Sequence, residues 1–143
     1  MSGNLIGSYR VRPTLAAYHD VSKHFPKTKD RMEVRRHALK LAFWPDSSPH
    51  TNGGQACDLD WEWVKGIAGK VNDVGELRID DVIGGHRNLR IIFHHGGRTV
   101  CQPLPMIWIL AVFPKKRNDF TVGDLTSFKL RRKTVRNEHY AGA

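Results

Sequence analysis

Apolar positions concentrate in one stretch near the carboxyl end of the chain, Met106–Phe113, which is followed by Pro114 and then by Lys115, Lys116 and Arg117. The stretch suits a strand and is far short of the roughly 20 apolar residues that a membrane-spanning helix needs. Alternate residues of a strand point to opposite faces, and both sets are apolar here: Met106, Trp108, Leu110 and Val112 on one side, Ile107, Ile109, Ala111 and Phe113 on the other. The pattern predicts a central strand covered on both faces.

The residues around this stretch have the texture of an antiparallel sheet. Strands are predicted at Leu77–Ile83, Asn88–His95, Arg98–Gln102 and Pro105–Phe113. Glycine pairs or Pro103 separate them, and Gly96-Gly97 predicts a tight hairpin turn. A short apolar opening at Leu5–Val11 predicts an additional edge strand.

Helical spacing of apolar residues flanks this sheet. Pro13–Phe25 and Thr28–Phe43 predict two helices, which Pro26 separates. Thr121–Glu138 predicts a final helix with Thr121 as its N-cap and Asp124 in the position of a capping-box acid. Asp58–Val74 also predicts a helix, and residues 45–56, rich in turn formers, predict an exposed loop. Together these elements predict a single α+β domain over residues 1–143.

The charge of the chain is strongly basic and unevenly distributed. Its formal net charge is +9, and its pI is about 9.9. Residues 1–40 contain 9 basic and 3 acidic side chains, and residues 85–143 contain 11 and 3, whereas residues 56–84 contain 3 and 7. A basic protein of this kind favours a polyanionic partner, usually nucleic acid and less often an anionic membrane surface.

The cysteine content and the N-terminal residues indicate the cellular compartment in which the protein is expected. Cys57 and Cys101 alone cannot form a disulfide framework, and their spacing does not match a zinc site. The first ten residues lack the basic head and apolar body of a secretory signal. We therefore expect a cytoplasmic protein with reduced thiols.

Three features of the carboxyl half carry a family resemblance. They are the strand Leu89-Arg90-Ile91-Ile92-Phe93, the strand Ile107–Phe113 followed by Pro114-Lys115-Lys116, and the basic helix with Arg131-Arg132. In this arrangement the chain resembles the RelE superfamily, and within it the HigB-like, phage-derived toxins of type II toxin–antitoxin systems. The resemblance covers about residues 77–140, and the Cys57–Val74 stretch has no counterpart in the family pattern.

The resemblance implies a fold, an activity and partners. The fold would be a RelE-like antiparallel sheet of about four strands with a mixed edge, with two N-terminal helices and the basic C-terminal helix packed on it. The activity would be that of an mRNA interferase, a metal-independent endoribonuclease that cleaves messenger RNA on the ribosome and leaves a 2′,3′-cyclic phosphate. We expect no cofactor, no membrane association, and a cognate antitoxin of helix-turn-helix type that covers the basic groove.

The chemistry of this reaction selects candidate residues. Arginine and lysine favour the dianionic phosphorane over the monoanionic ground state, and a lysine crowded by other cations loses its proton more readily, which would make Lys115 or Lys116 a usable base. Histidine titrates near pH 6.5, and an aromatic ring can stack on an RNA base. The predicted catalytic residues are Lys115, Lys116, Arg90 and His139. The predicted RNA-binding residues are Arg98, Arg117, Arg131, Arg132, Lys133, Arg136 and Tyr140.

Other interpretations of the same residues stay open. Lys115–Arg117 also suit a solubilising cluster after an apolar strand, and His139 and Tyr140 also suit a solvated tail. Trp61 and Trp63 are expected in the core, and the adjacent His94 and His95 should point to opposite faces, which disfavours a shared metal site. The alternative functions are a non-catalytic nucleic-acid-binding or ribosome-binding module and a ParE-like inhibitor of DNA gyrase on the same fold.

Overall fold

The computed structural model describes residues 8–45, 47–52, 55–64, 73–97, 105–115 and 120–140. Its strands are β1 (Arg10–Pro13), β2 (Ser47–Asn52), β3 (Gln55–Asp58), β4 (Trp61–Trp63), β5 (Val74–Ile79), β6 (Leu89–Gly97) and β7 (Met106–Pro114). Its helices are α1 (Leu15–His24), α2 (Thr28–Leu39), which continues as a 3-10 turn to Phe43, and α3 (Val122–His139). Among these helices none is both long and apolar enough to cross a membrane.

Five strands form one mixed sheet in the order β1-β7-β6-β5-β4, and β2 and β3 form a separate antiparallel pair. The pairings of β4, β5, β6 and β7 are antiparallel, whereas β1 runs parallel to β7 at the edge of the sheet. The predicted α+β class and the two N-terminal helices are confirmed. The described sheet has five strands, and β4 at its far edge is the strand that was not predicted.

Strand β7 is buried from Met106 to Val112, as the two-sided apolar pattern predicts. Ile107 and Ile109 pack in the cluster that includes α1 and α2, whereas Trp108 and Leu110 pack in the cluster that includes α3. Layers of helices therefore cover both faces of this strand.

A β-bulge changes the orientation of the second half of β7. Ile92 pairs with Ala111 and Phe93 pairs with Ile109, so Leu110 is the extra residue. Beyond the bulge, Ala111 faces α3 and Val112 faces α1 and α2. Strict alternation predicted the reverse for these two residues, and that prediction is wrong because a bulge inverts the side-chain order.

Three local predictions are corrected. The predicted helix over Asp58–Val74 is wrong at Trp61–Trp63, because these residues form a strand that pairs with β5. Trp61 packs against Trp44 and the hydrophobic core, as expected. The predicted loop over 45–56 is wrong because β2 and β3 pair there, and Pro49, which lacks the N–H of a ladder hydrogen bond, lies within an irregularity of the pairing. The predicted turn at Gly96-Gly97 is wrong because β6 continues to Gly97, which pairs with Met106.

The ends of the other elements agree more closely with their sequence signals. Thr121 caps α3, and its hydroxyl and the Asp124 carboxylate each accept a backbone N–H hydrogen bond of 3.0 Å, which completes the predicted capping box. The first edge strand lies at Arg10–Pro13, later than predicted. The predicted strand Arg98–Gln102 lies outside the described residues.

An ion pair joins α1 and α3 at the bulged strand. Strand β1 pairs with β7 only as far as Ile109, and beyond it the Val112 N–H donates to Asp20 Oδ2 at 3.1 Å. Arg131 Nη1 donates to the same Asp20 oxygen at 2.6 Å and to the Leu110 carbonyl at 2.8 Å. The pair therefore satisfies backbone groups that the sheet leaves without strand partners.

We expect Asp20→Ala and Arg131→Met each to lower the free energy of unfolding by about 1–3 kcal/mol, because each leaves a partly buried backbone or charged group without its partner. Urea denaturation of the single and double variants measures both the loss and the coupling between the two residues. Lys129→Met, at an exposed position of α3, is the control and should change stability by less than about 0.5 kcal/mol. Additive effects of Asp20→Ala and Arg131→Met would contradict the assigned contact.

Candidate functional site

Neighbouring strands place charged side chains on the face of the sheet that α3 covers in part. On β5, Val74 packs with α3, and the alternation of side chains brings Glu76 and Arg78 to the same face. On β6, Arg90 lies directly opposite Arg78. Two like charges in this position repel each other unless an opposite charge lies between them.

Glu76 supplies that opposite charge. Its side chain is almost completely buried, and its carboxylate oxygens lie 3.2 Å from Arg90 Nε, 3.3 Å from Lys115 Nζ and 3.8 Å from Arg78 Nη2. A buried carboxylate is costly unless cations and hydrogen bonds compensate for its lost hydration. Glu76, Arg78, Arg90 and Lys115 therefore form one electrostatic unit, which we call the Glu76 cluster.

Lys115 joins the Glu76 cluster from the end of β7. Its backbone N–H donates to the Asn88 carbonyl at 2.9 Å, and its ammonium lies 4.3 Å from the centre of the Phe120 ring. The side chains of Lys115 and Arg90 are 13% and 16% exposed, so each retains a solvent-accessible part. The structure thus brings together two of the predicted catalytic residues, Arg90 and Lys115.

The sequence prediction missed two members of the cluster, Glu76 and Arg78. Arg78 Nη1 donates to Asp60 Oδ1 at 3.1 Å, and Arg78 Nη2 contacts Glu62 on β4. Burial opposes the charge of Arg78, but its hydrogen bond to Asp60 and the negative charges of Glu62 and Glu76 outweigh the effect of burial and raise the pKa of Arg78. The charged residues at alternate positions of β5, Glu76 and Arg78, are the sequence signal that could have identified these two members.

The basic residues of α3 are engaged elsewhere. Arg131 pairs with Asp20, and Arg132 Nε donates to Asp73 Oδ1 at 2.8 Å, a contact that raises the arginine pKa. Arg136 lies over the Tyr140 ring, 5.4 Å from its centre, and Lys133 is exposed. Two of the predicted RNA-binding arginines thus hold α3 to the rest of the fold.

His139 and Tyr140 form a docked end of α3 instead of a solvated tail. The His139 ring stacks on Trp108 with 4.3 Å between ring centres, and the Tyr140 hydroxyl accepts a 2.9 Å hydrogen bond from Trp108 Nε1. A Cβ at Gly96 would lie 2.1 Å from that hydroxyl, so the glycine permits this close approach. Burial raises the pKa of Tyr140.

The predicted catalytic residues therefore do not all share one site. His139 stacks on Trp108, and Trp108 lies seven positions before Lys115 in the chain. In an extended strand this separation corresponds to roughly 23 Å, at about 3.3 Å per residue. Lys116, Arg117 and Arg98, the other predicted members of the site, lie outside the described residues.

Potential metal ligands approach one another at a separate place among the described residues. Ligand atoms of Glu33, His37 and Asp81 lie within 4.8 Å of each other. His37 Nδ1 lies 3.2 Å from the Lys40 ammonium, and His37 Nε2 lies 3.0 Å from Asp81 Oδ2. Arg36 Nη2 lies 3.4 Å from the same Nε2. A metal ion at this imidazole would therefore meet two positive charges, and the contacts fit an ion network.

Burial lowers the pKa of three histidines, His37, His94 and His95. The nearby cations Lys40 and Arg36 lower that of His37 further, against Asp81 and Glu33. His94 is fully buried under the end of α3; its Nδ1 lies 3.0 Å from the Asp73 carbonyl, and its Nε2 has no hydrogen-bond partner among the described residues. The neutral form of His94 is therefore the one that the fold accommodates.

We expect the free energy of unfolding to decrease between pH 7.5 and 5.5. A histidine pKa lowered in the folded state means that the unfolded chain binds more protons below about pH 6.5, so the stabilising contribution is complete above that pH and is lost as the pH falls. Urea denaturation at several pH values should show a weaker pH dependence for His94→Gln than for the wild type. His19→Gln, at an exposed position, should retain the wild-type dependence; equal slopes for both variants would contradict the assignment.

No protein-family model, no curated protein and no solved structure matches the chain.

Proposed function

We propose that this protein is the toxin of a type II toxin–antitoxin system and acts as a metal-independent endoribonuclease on messenger RNA at the ribosome. The observation that carries the proposal is the convergence of Arg90 and Lys115, from adjacent strands, on one partly exposed site. These residues belong to the two strand motifs on which the resemblance to HigB-like toxins depends. The α+β fold and the net charge of +9 are consistent with the proposal.

Each group in the site has a task in RNA cleavage. The 2′ oxygen attacks the adjacent phosphorus as its proton passes to a base, and the 5′ oxygen leaves and takes up a proton. Arg90 and Lys115 stabilise the negative charge of the phosphorane between these two events. Glu76 holds both cations from the buried side of the site. Lys116, the other predicted lysine, serves as the base.

The other basic residues take roles away from the reacting phosphate. We assign His139, Tyr140, Lys133 and Arg136 to contacts with flanking RNA or with the ribosome, since His139 lies roughly 23 Å along β7 from Lys115 at about 3.3 Å per residue. In this proposal the protein acts in the cytoplasm, where an antitoxin with a helix-turn-helix domain neutralises it by covering the basic surface.

The test is cleavage of messenger RNA on translating ribosomes, with new 5′ ends mapped by sequencing. Lys115→Met and Arg90→Gln should each reduce cleavage about 100-fold or more, the range for losing an acid–base or charge-stabilising group. Lys129→Met removes one positive charge from an exposed part of α3 and should retain the wild-type rate. Lys116→Met, compared with Lys115→Met, identifies the lysine that acts as the base.

The same assay separates the other functions. Full cleavage by Lys115→Met and Arg90→Gln would contradict the site. A loss of cleavage supports the site when thermal melting shows that both variants are folded. Ribosome binding without new 5′ ends would instead indicate a non-catalytic binding module. Inhibition of DNA gyrase supercoiling with intact RNA would indicate a ParE-like inhibitor.

A further inference from the structure

Strand β4 brings negative charge to the edge of the Glu76 cluster. Glu62 lies directly opposite Glu76 in the pairing of β4 with β5, and Asp60 immediately precedes the strand. The Asp60 carbonyl also accepts a 2.8 Å hydrogen bond from the Arg78 N–H, which fixes the position of this segment against β5. Asp60 and Glu62 therefore meet the cationic site from the side opposite Lys115.

Both terminal nitrogens of Arg78 are occupied by these carboxylates. Nη1 donates to Asp60 and Nη2 contacts Glu62. A guanidinium binds a phosphate through paired N–H groups of the same kind. As long as both contacts hold, fewer N–H groups of Arg78 are available to an anionic ligand, although this arginine lies directly opposite Arg90.

The contacts are placed where an anion could displace them. The side chains of Asp60 and Glu62 are 55% and 57% exposed, whereas that of Glu76 is 2% exposed. Exposed ion pairs are weak because water screens them and their side chains lose little by swinging away. Glu76 is thus a permanent part of the site, whereas Asp60 and Glu62 are exchangeable.

We propose that Asp60 and Glu62 are an internal anion that competes with the RNA phosphate for Arg78, so that β4 sets the phosphate affinity of the Glu76 cluster. This inference rests on the proposed function and extends it to regulation of the same site. RNA that enters the site displaces the two carboxylates and gains Arg78 as a third cationic contact beside Arg90 and Lys115. Strand β4 belongs to the Cys57–Val74 stretch, which the HigB-like pattern lacks, so this competition is a property of the present chain.

The test is equilibrium binding of a fluorescent, fully 2′-O-methylated RNA 12-mer, which lacks the attacking hydroxyl and cannot be cleaved. Glu62→Gln should tighten binding about twofold to fivefold beyond its control, the range that an exposed ion pair permits. The control is Glu138→Gln, because it makes the same substitution with the same change in net charge at a side chain of similar exposure, 65%. Asp60→Asn should act in the same direction as Glu62→Gln.

Two further measurements separate competition from a general charge effect. Releasing Arg78 adds one phosphate contact, so the slope of log Kobs against log salt should steepen by about 0.7 for a single strand in Glu62→Gln. In an Arg78→Gln background, the effect of Glu62→Gln should shrink to that of Glu138→Gln. Asp60→Asn and Glu62→Gln leave Arg78 in place, so the main result does not depend on the folding of the Arg78 variant.

Each outcome has a distinct meaning. Equal binding by Glu62→Gln and Glu138→Gln, or a gain that persists without Arg78, would overturn the internal competitor while leaving the proposed function intact. The predicted gain together with an absence of cleavage on ribosomes would support the competitor and overturn the nuclease. Absence of binding by the wild type, Asp60→Asn and Glu62→Gln would overturn the internal competitor, and cleavage on ribosomes would then decide the nuclease by itself.

Discussion

The structure depends on the burial of β7 on both of its faces. A strand that is apolar on both sides has to be covered twice, and here α1 and α2 cover one face while α3 covers the other. This requirement determines the position of α3 against β7, and therefore which residues of β7 lie near the beginning and the end of the helix. Lys115 leaves the sheet at the end of β7, near the beginning of α3, whereas His139 and Tyr140 dock at the beginning of β7, at the end of α3.

Ionic contacts hold these layers together at the points where the sheet is irregular. Asp20 and Arg131 satisfy backbone groups at the bulge, and Asp73 links Arg132 with the buried His94. A basic helix is therefore attached to the sheet by part of its own positive charge. Because Arg131 and Arg132 pair with carboxylates of the same chain, the number of cations on this helix overstates the positive charge that a ligand can contact.

In the Glu76 cluster, by contrast, the cations are held together and remain partly exposed to solvent. One buried carboxylate gathers Arg78, Arg90 and Lys115 at an edge of the surface that α3 leaves uncovered. The cations remain partly exposed because Glu76 contacts them from the buried side of the site. Asp60 and Glu62 approach Arg78 from the edge of the sheet. A site built this way holds its cations in place before any anion arrives, which reduces the entropy lost on binding.

The central strand, the two N-terminal helices and the capped basic helix could be predicted from the amino-acid sequence, and so could the placement of Arg90 and Lys115 on strands that could meet. These features depend on periodicity and on capping residues, which are local properties of the chain. Three features became visible only in the folded chain: Val112 faces α1 and α2, Trp61–Trp63 forms a strand, and His139 lies far from Lys115. The fold also determines which charges meet, since Asp20 and Arg131 are 111 positions apart. The physical reason is that bulges, strand register and ion pairs are set by residues distant in the chain, and no local pattern records them.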